Sequence, residues 1–162
     1  MVTIDPTASV SKLADIETSI RGSKVIVGAR ACIDSFVKIK MAGGLADVVI
    51  GSDVQINSGT VIYSGNGVVI GAGSLIAANC TLAPVNHAYM RADISIIDQR
   101  FAPGRGGIII EDDVWIGAGT VLLDGAIVRR GCVIAAQSLV RGETEPYGVY
   151  AGNPLRLIKF RT

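Results

Sequence analysis

The sequence predicts an all-β solenoid, a parallel β-helix of about six triangular coils, and three observations predict it. Aliphatic residues recur every six positions, a spacing that neither a helix of period 3.6 nor one alternating strand produces. Every break in that rhythm falls after the third aliphatic residue of a triplet. The chain is 49% hydrophobic yet only 5% aromatic, with 20 Gly, so its core is built from slim aliphatic side chains and tight corners.

Each coil can be read in order. The first carries anchors Ile4, Val10 and Ile16, the second Val27, Ile33 and Ile39, and the third Ile50, Ile56 and Ile62. The fourth carries Ile70, Ile76 and Leu82, the fifth Ile110, Ile116 and Leu122, and the sixth Val128, Ile134 and Val140. A short strand and a turn per anchor, three to a coil, satisfy this period. Four residues after an anchor comes a small or slim residue, as at Val114, Thr120, Ala126, Cys132, Ser138 and Thr144. These are expected to point inward near a corner. The insertions, of five, five, two and 22 residues, should all leave the prism along one edge. At ~4.8 Å per coil the stack would stand roughly 29 Å tall. Residues 1–162 thus read as one domain. Coils occupy about 4–82 and 110–145, an external loop about 83–109, and a C-terminal extension 146–162.

Composition narrows the function classes. Fifteen Lys plus Arg against 14 Asp plus Glu give a net charge of +1, which argues against a nucleic-acid partner. No run approaches 18 uncharged apolar residues, so membrane insertion is not expected. Asp5, Lys12, Asp15 and Glu17 interrupt any signal-peptide core. Three separated cysteines read as reduced thiols of a cytoplasmic protein. Cys80 and Cys132 stand four residues after Ile76 and Val128, where a buried thiol serves as a small apolar group. No metal-ligand spacing is present, and no metal is expected.

The chain resembles the hexapeptide-repeat acyltransferases. The carrying segments are Ile50-Gly51 through Tyr63, Asn86-His87, IEDDVWIGAG at Ile110–Gly119, and YAGNPLRLIK at Tyr150–Lys159. The resemblance spans about residues 4–160 and is strongest to the branch that acetylates sugars, including lipopolysaccharide, capsule and galactoside acetyltransferases. It implies a left-handed coil, a homotrimer with sites between neighbouring prisms, and acetyl-CoA as acyl donor.

His87 is the only histidine, at the mouth of the 22-residue insertion. Acyl transfer from a thioester needs a base for the proton of an attacking hydroxyl or ammonium, and a neutral imidazole serves near neutrality. The family's catalytic histidine falls at this motif position, which makes His87 the expected general base. No serine or cysteine adjoins it, which favours direct attack over a covalent acyl-enzyme. Asp93 or Asp98 of the same loop could hold the other ring nitrogen, and the sequence does not choose between them. Asn86, read as the small-residue position after Leu82, and Asn57, directly after Ile56, are candidate acceptor contacts.

By resemblance, Trp115 lies beside the pantetheine and acetyl end of coenzyme A, with alternation turning it outward. Ala118 and Ala136 match the pantetheine path, and Arg141 and Lys159 the groups that meet the nucleotide phosphates. Two departures stand out: the usual Gly-Ala-Gly-Ser is Ala135-Ala136-Gln137-Ser138, and the usual Thr-Lys-Asp is Arg141-Gly142-Glu143. A bulky Gln137 at a corner would narrow the channel. The leading expectation is acetyl transfer to a sugar hydroxyl of a surface polysaccharide or its precursor. The alternative is N-acetylation of a nucleotide-linked amino sugar, which uses the same base and donor. A zinc carbonic anhydrase needs more histidines, and an ice binder needs threonine arrays. A solenoid scaffold would not require His87, Trp115 and a polar loop together.

Overall fold

The computed structural model describes residues 1–162 and places the anchors in unbroken parallel ladders. Three faces result. The first stacks Val2–Ile4, Val25–Val27, Val48–Ile50, Val68–Ile70, Ile108–Ile110 and Ile127–Val128. The second runs from Ser9–Val10 through Leu75–Ile76 and Trp115–Ile116 to Val133–Ile134, and the third from Asp15–Ile16 through Thr81–Ala83 to Leu139–Val140. Registers join like to like: Ile50 pairs with Ile70 and Ile70 with Ile110, while Ile76 pairs with Ile116 and Leu82 with Leu122. The fold is a left-handed parallel β-helix with one short helix, Ile96–Gln99.

Strict six-residue spacing works because each anchor points into the prism while its neighbours point out. From the second coil onward the anchors are buried, and Val114, Thr120, Ala126, Cys132, Ser138 and Thr144 are buried with them. Each fully buried Ile or Leu contributes roughly 1.5–3 kcal/mol. Ile4 is 42% exposed because no coil lies beneath the first. Burial also raises the Cys80 thiol above its usual pKa, as suits a packing residue and not a nucleophile.

The corners explain the polar and glycine positions. At the corner between the second and third faces, Phe36, Gly59, Asn79, Gly119 and Gln137 all adopt left-handed φ of +58° to +74°. The glycine after an anchor answers to crowding instead: a Cβ on Gly117 would lie 2.4 Å from the Ala136 nitrogen. All four insertions leave at the corner between the third and first faces and stack there. The closest approach is Gly44, where a Cβ would meet the Gly65 carbonyl at 2.0 Å.

Two details depart from the expected register. The chain leaves the fourth coil at Pro84, which is buried, so Asn86 is exposed beyond the coil and does not occupy an inward small-residue position. The C-terminal segment adds a rung: Gly148–Ala151 pairs in parallel with Val133 and Ile134, and Arg156–Phe160 folds back antiparallel to it. Tyr150 continues the anchor ladder above Ile134 at 8% exposure, and its hydroxyl accepts the Glu145 N–H at 2.7 Å. No helix is long and apolar enough to cross a membrane.

Candidate active site

His87 lies on the external loop, where it forms an antiparallel bridge with Phe101. Main-chain bonds clamp this neck: Ala88 N–H donates to the Arg100 carbonyl at 2.9 Å and Ala102 N–H to the Asn86 carbonyl at 2.8 Å. The imidazole packs on the Phe101 ring with centroids 4.9 Å apart. Its Nδ1 sits 3.2 Å from the Arg100 carbonyl oxygen. A carbonyl only accepts, so Nδ1 carries the hydrogen and Nε2 presents its lone pair.

The orienting group is thus a backbone carbonyl, and neither aspartate faces the ring. Asp93 is paired with Arg91 at 2.5 Å, which holds its carboxyl below the usual range, and Asp98 accepts from the Ser95 hydroxyl. Arg100 itself adopts φ 59°, ψ −138°, a region costly for a side chain bearing Cβ. Beside it, Gln99 braces the loop from within. Its amide accepts the Arg91 N–H at 3.0 Å and donates to the Arg91 and Ile94 carbonyls at 2.8 and 2.9 Å. Sequence reasoning passed over Gln99, an amide between Asp98 and Arg100 in a polar loop, where nothing in the sequence singles it out.

The second root of the loop is Asp124, 4% exposed, two residues after anchor Leu122. Its carboxylate accepts the Arg105 N–H at 2.7 Å, the Gly107 N–H at 2.9 Å and the Asn66 amide at 3.1 Å. A carboxylate at an inward rung was the readable signal for this role.

Between these roots opens a cleft of about 810 Å³, bounded by Asn86, His87, Tyr89, Ile96, Arg105 and Arg141. Of the residues singled out in the sequence, the single chain brings together Asn86, His87 and Arg141. The others lie elsewhere. Trp115 is 53% exposed on the second face, in a separate hollow with Leu75, Val133 and Arg161. Asn57, Ala118 and Ala136 line the corner between the second and third faces, and Lys159 lies on the final antiparallel strand. The third face separates that edge from His87. Gln137 does crowd its corner: its side-chain nitrogen lies 2.2 Å from where a Gly119 Cβ would be.

The Ala118 and Ala136 side chains are small and exposed, and their N–H groups have no partner within the chain. Such free donors match the carbonyls of an extended diamide such as pantetheine.

Residues 107–142 match the family model for the bacterial transferase hexapeptide (six repeats). That stretch, the fifth and sixth coils, is similar to the bacterial hexapeptide transferases. Among relatives in sequence, a probable macrolide acetyltransferase of Lysinibacillus sphaericus is 44% identical over 59 residues, 36% of this chain and 33% of that protein. The chain therefore spans about a third of the length of that relative. Among solved structures, a variant of AntD, an N-acyltransferase from Bacillus cereus in complex with dTDP-4-amino-4,6-dideoxyglucose and coenzyme A, superposes with TM-score 0.80 at 24% identity. That match covers 99% of this chain and 84% of AntD. The polysialic acid O-acetyltransferase OatWY superposes with TM-score 0.52 at 16% identity, over 98% of this chain and 85% of that one.

Proposed function

We propose that this hexapeptide-repeat protein transfers an acyl group from coenzyme A to the amine of a nucleotide-linked amino sugar, with His87 as general base. The observation that carries the reading is the free Nε2 of His87, held open to a polar cleft by the Arg100 carbonyl behind it. The likeness to AntD, a protein described with an amino-sugar nucleotide and coenzyme A, supports the acceptor class. It moves the amine reading ahead of the sugar hydroxyl that the sequence first suggested. Transfer to a glycan hydroxyl stands second, supported by the likeness to OatWY.

The donor supplies the thioester carbonyl, and the chain's residues do the rest. His87 takes the proton from the attacking nitrogen at Nε2, and the resulting imidazolium returns it to the departing thiolate. Asn86, exposed at the cleft beside His87, is placed to orient the acceptor. Trp115, Ala118, Ala136 and Lys159 would hold the donor, and Asn57 the acceptor from a neighbouring chain.

That division of labour calls for a homotrimer. The edge bearing Asn57, Ala118 and Ala136 and the edge bearing His87 lie on opposite sides of the third face. A prism packed alongside in a closed ring brings one edge of one chain against the other edge of the next. The loop agrees with this: Tyr89, Met90, Ile96 and Ile97 are 60–83% exposed, and the helix Ile96–Gln99 buries nothing. Apolar surface on one loop marks an interaction site.

The test is thiol release from acetyl-CoA and longer acyl-CoA with amino-sugar nucleotides, plain amino sugars and sugar hydroxyls. Turnover confined to amines on nucleotide carriers is expected. Turnover on hydroxyls alone would replace this reading with the second, and absence of both turnover and coenzyme A binding would leave a scaffold.

A further inference from the structure

The cleft beside His87 carries two guanidinium groups that no carboxylate of the chain pairs with. Arg105 lies across the fifth coil's corner, its Cβ 3.1 Å from where a Gly125 Cβ would be. Arg141 occupies the same corner one coil on, where the Gly142 carbonyl accepts the Ile127 N–H at 3.0 Å. Both line the cleft, and neither guanidinium makes an ion pair or hydrogen bond within the chain. The nearby carboxylates are already used. Asp124, 4% exposed, is turned to three N–H donors and not to a guanidinium, and Glu143 is paired with Arg129, which also holds Glu111 at 2.6 Å.

Two unpaired guanidinium groups lining one cleft repel one another, and a bound dianion relieves that repulsion. Guanidinium forks match phosphoryl oxygens in geometry as well as charge. We propose that Arg105 and Arg141 form a diphosphate-reading pair that holds the carrier of the acceptor beside His87. The inference rests on the acceptor class given above and reassigns Arg141, expected from the sequence to meet the phosphates of coenzyme A. Both arginines line the cleft of the His87 that the acceptor must reach, whereas the donors at Ala118 and Ala136 would come from the neighbouring chain's edge.

The experiment is calorimetric titration of the protein with dTDP and, separately, with coenzyme A. Parent, Arg105→Ala, Arg141→Ala and Arg105→Lys are compared. Both alanine variants should lose about tenfold or more in dTDP affinity, with coenzyme A affinity within about twofold of the parent. Arg105→Lys should retain part of the dTDP affinity. Because Arg105 ties to Asp124 through its backbone N–H, the variants keep that anchor, and unchanged circular dichroism checks the fold. Loss of coenzyme A affinity with dTDP binding intact would assign the pair to the donor and overturn the proposal. So would unchanged affinity for both ligands. Arginine-dependent dTDP binding without acylation of any amino-sugar nucleotide would support the diphosphate site and remove the reaction proposed above. Acylation of an amino-sugar nucleotide at parental kcat/KM by both alanine variants would keep the reaction and remove the pair.

Discussion

Replacing Asp124 should unfasten the external loop before it harms the prism. In Asp124→Ala, the Arg105 and Gly107 N–H groups lose their acceptor, while the half-buried Asn66 amide can turn toward water. The Gly107 N–H is buried and the Arg105 N–H only partly so, and at about 1–3 kcal/mol for a buried orphaned donor the change should cost about 1–4 kcal/mol. For a chain of this size, ~2–4 °C per kcal/mol converts that to a fall in Tm of about 2–16 °C. Asp124→Asn keeps one acceptor oxygen. Turned toward Arg105 and Asn66, it leaves only the Gly107 N–H facing an amide, for a cost of about 1–3 kcal/mol. Thermal and urea unfolding at one protein concentration measure the global term. Trypsin measures the local one, since Arg91, Arg100 and Arg105 all lie in the loop. Faster cleavage there should precede loss of the β signal. An alanine variant with parental Tm and parental tryptic resistance would refute the anchor.

His87→Ala should lower kcat by ~10²–10⁴, the worth of a positioned general base, and remove the acidic limb of the kcat/KM profile while coenzyme A binding and fold persist. Near-parental kcat in a folded protein would eliminate His87 as the base. Gln99→Ala should lower kcat about tenfold or more through misplacement of the Arg100 carbonyl and the imidazole, with KM for coenzyme A unchanged; a loss confined to KM would contradict a positioning role. Arg129, first, and the Arg130 N–H, second, hold the Glu111 carboxyl below its usual pKa, so the pair stabilises the fold above about pH 4.3 and fades as pH falls through the depressed value. Glu111→Gln should therefore flatten the acid side of a Tm–pH curve, and an unchanged acid slope would show the pair to be inert. Sedimentation should give a trimer, and a stable monomer that turns over substrate would show that one chain suffices.

The prism was legible because a ladder repeats its constraint. A single misfit at Ile76 would disturb the rungs of Ile56 and Ile116 on either side, so selection for packing writes the same residue class at each turn. The corner was legible because all four breaks in the hexad rhythm follow the third anchor of a triplet. The register failed only at the exits. Leu82 is followed by a buried Pro84 and then by loop, and a hexad pattern counts on through Asn86 as though the coil continued. At the other end, Tyr150 lies sixteen residues past Ile134, and an aromatic in place of an aliphatic hid the added rung.

The site was only half legible, and its physical design says why. A side chain with distinctive chemistry announces itself, and His87 did. Its partner is a carbonyl, which every residue owns, so attention went to Asp93 and Asp98, whose carboxylates are engaged locally by Arg91 and Ser95. The strained φ of Arg100 leaves no trace in its identity, because no glycine marks the place. Charge was equally hidden. Arg105 and Arg141 stand 36 residues apart, and a net charge of +1 gives no hint that they share one wall of a cleft with their neighbouring carboxylates already spent. Repetition reveals a scaffold because the same contact recurs at every coil, whereas the cleft beside His87 opens where the repeat is interrupted. The exits from the prism are therefore where the pattern stops predicting and where His87 and Arg105 are found, with Asp124 tying the loop back to an unbroken coil.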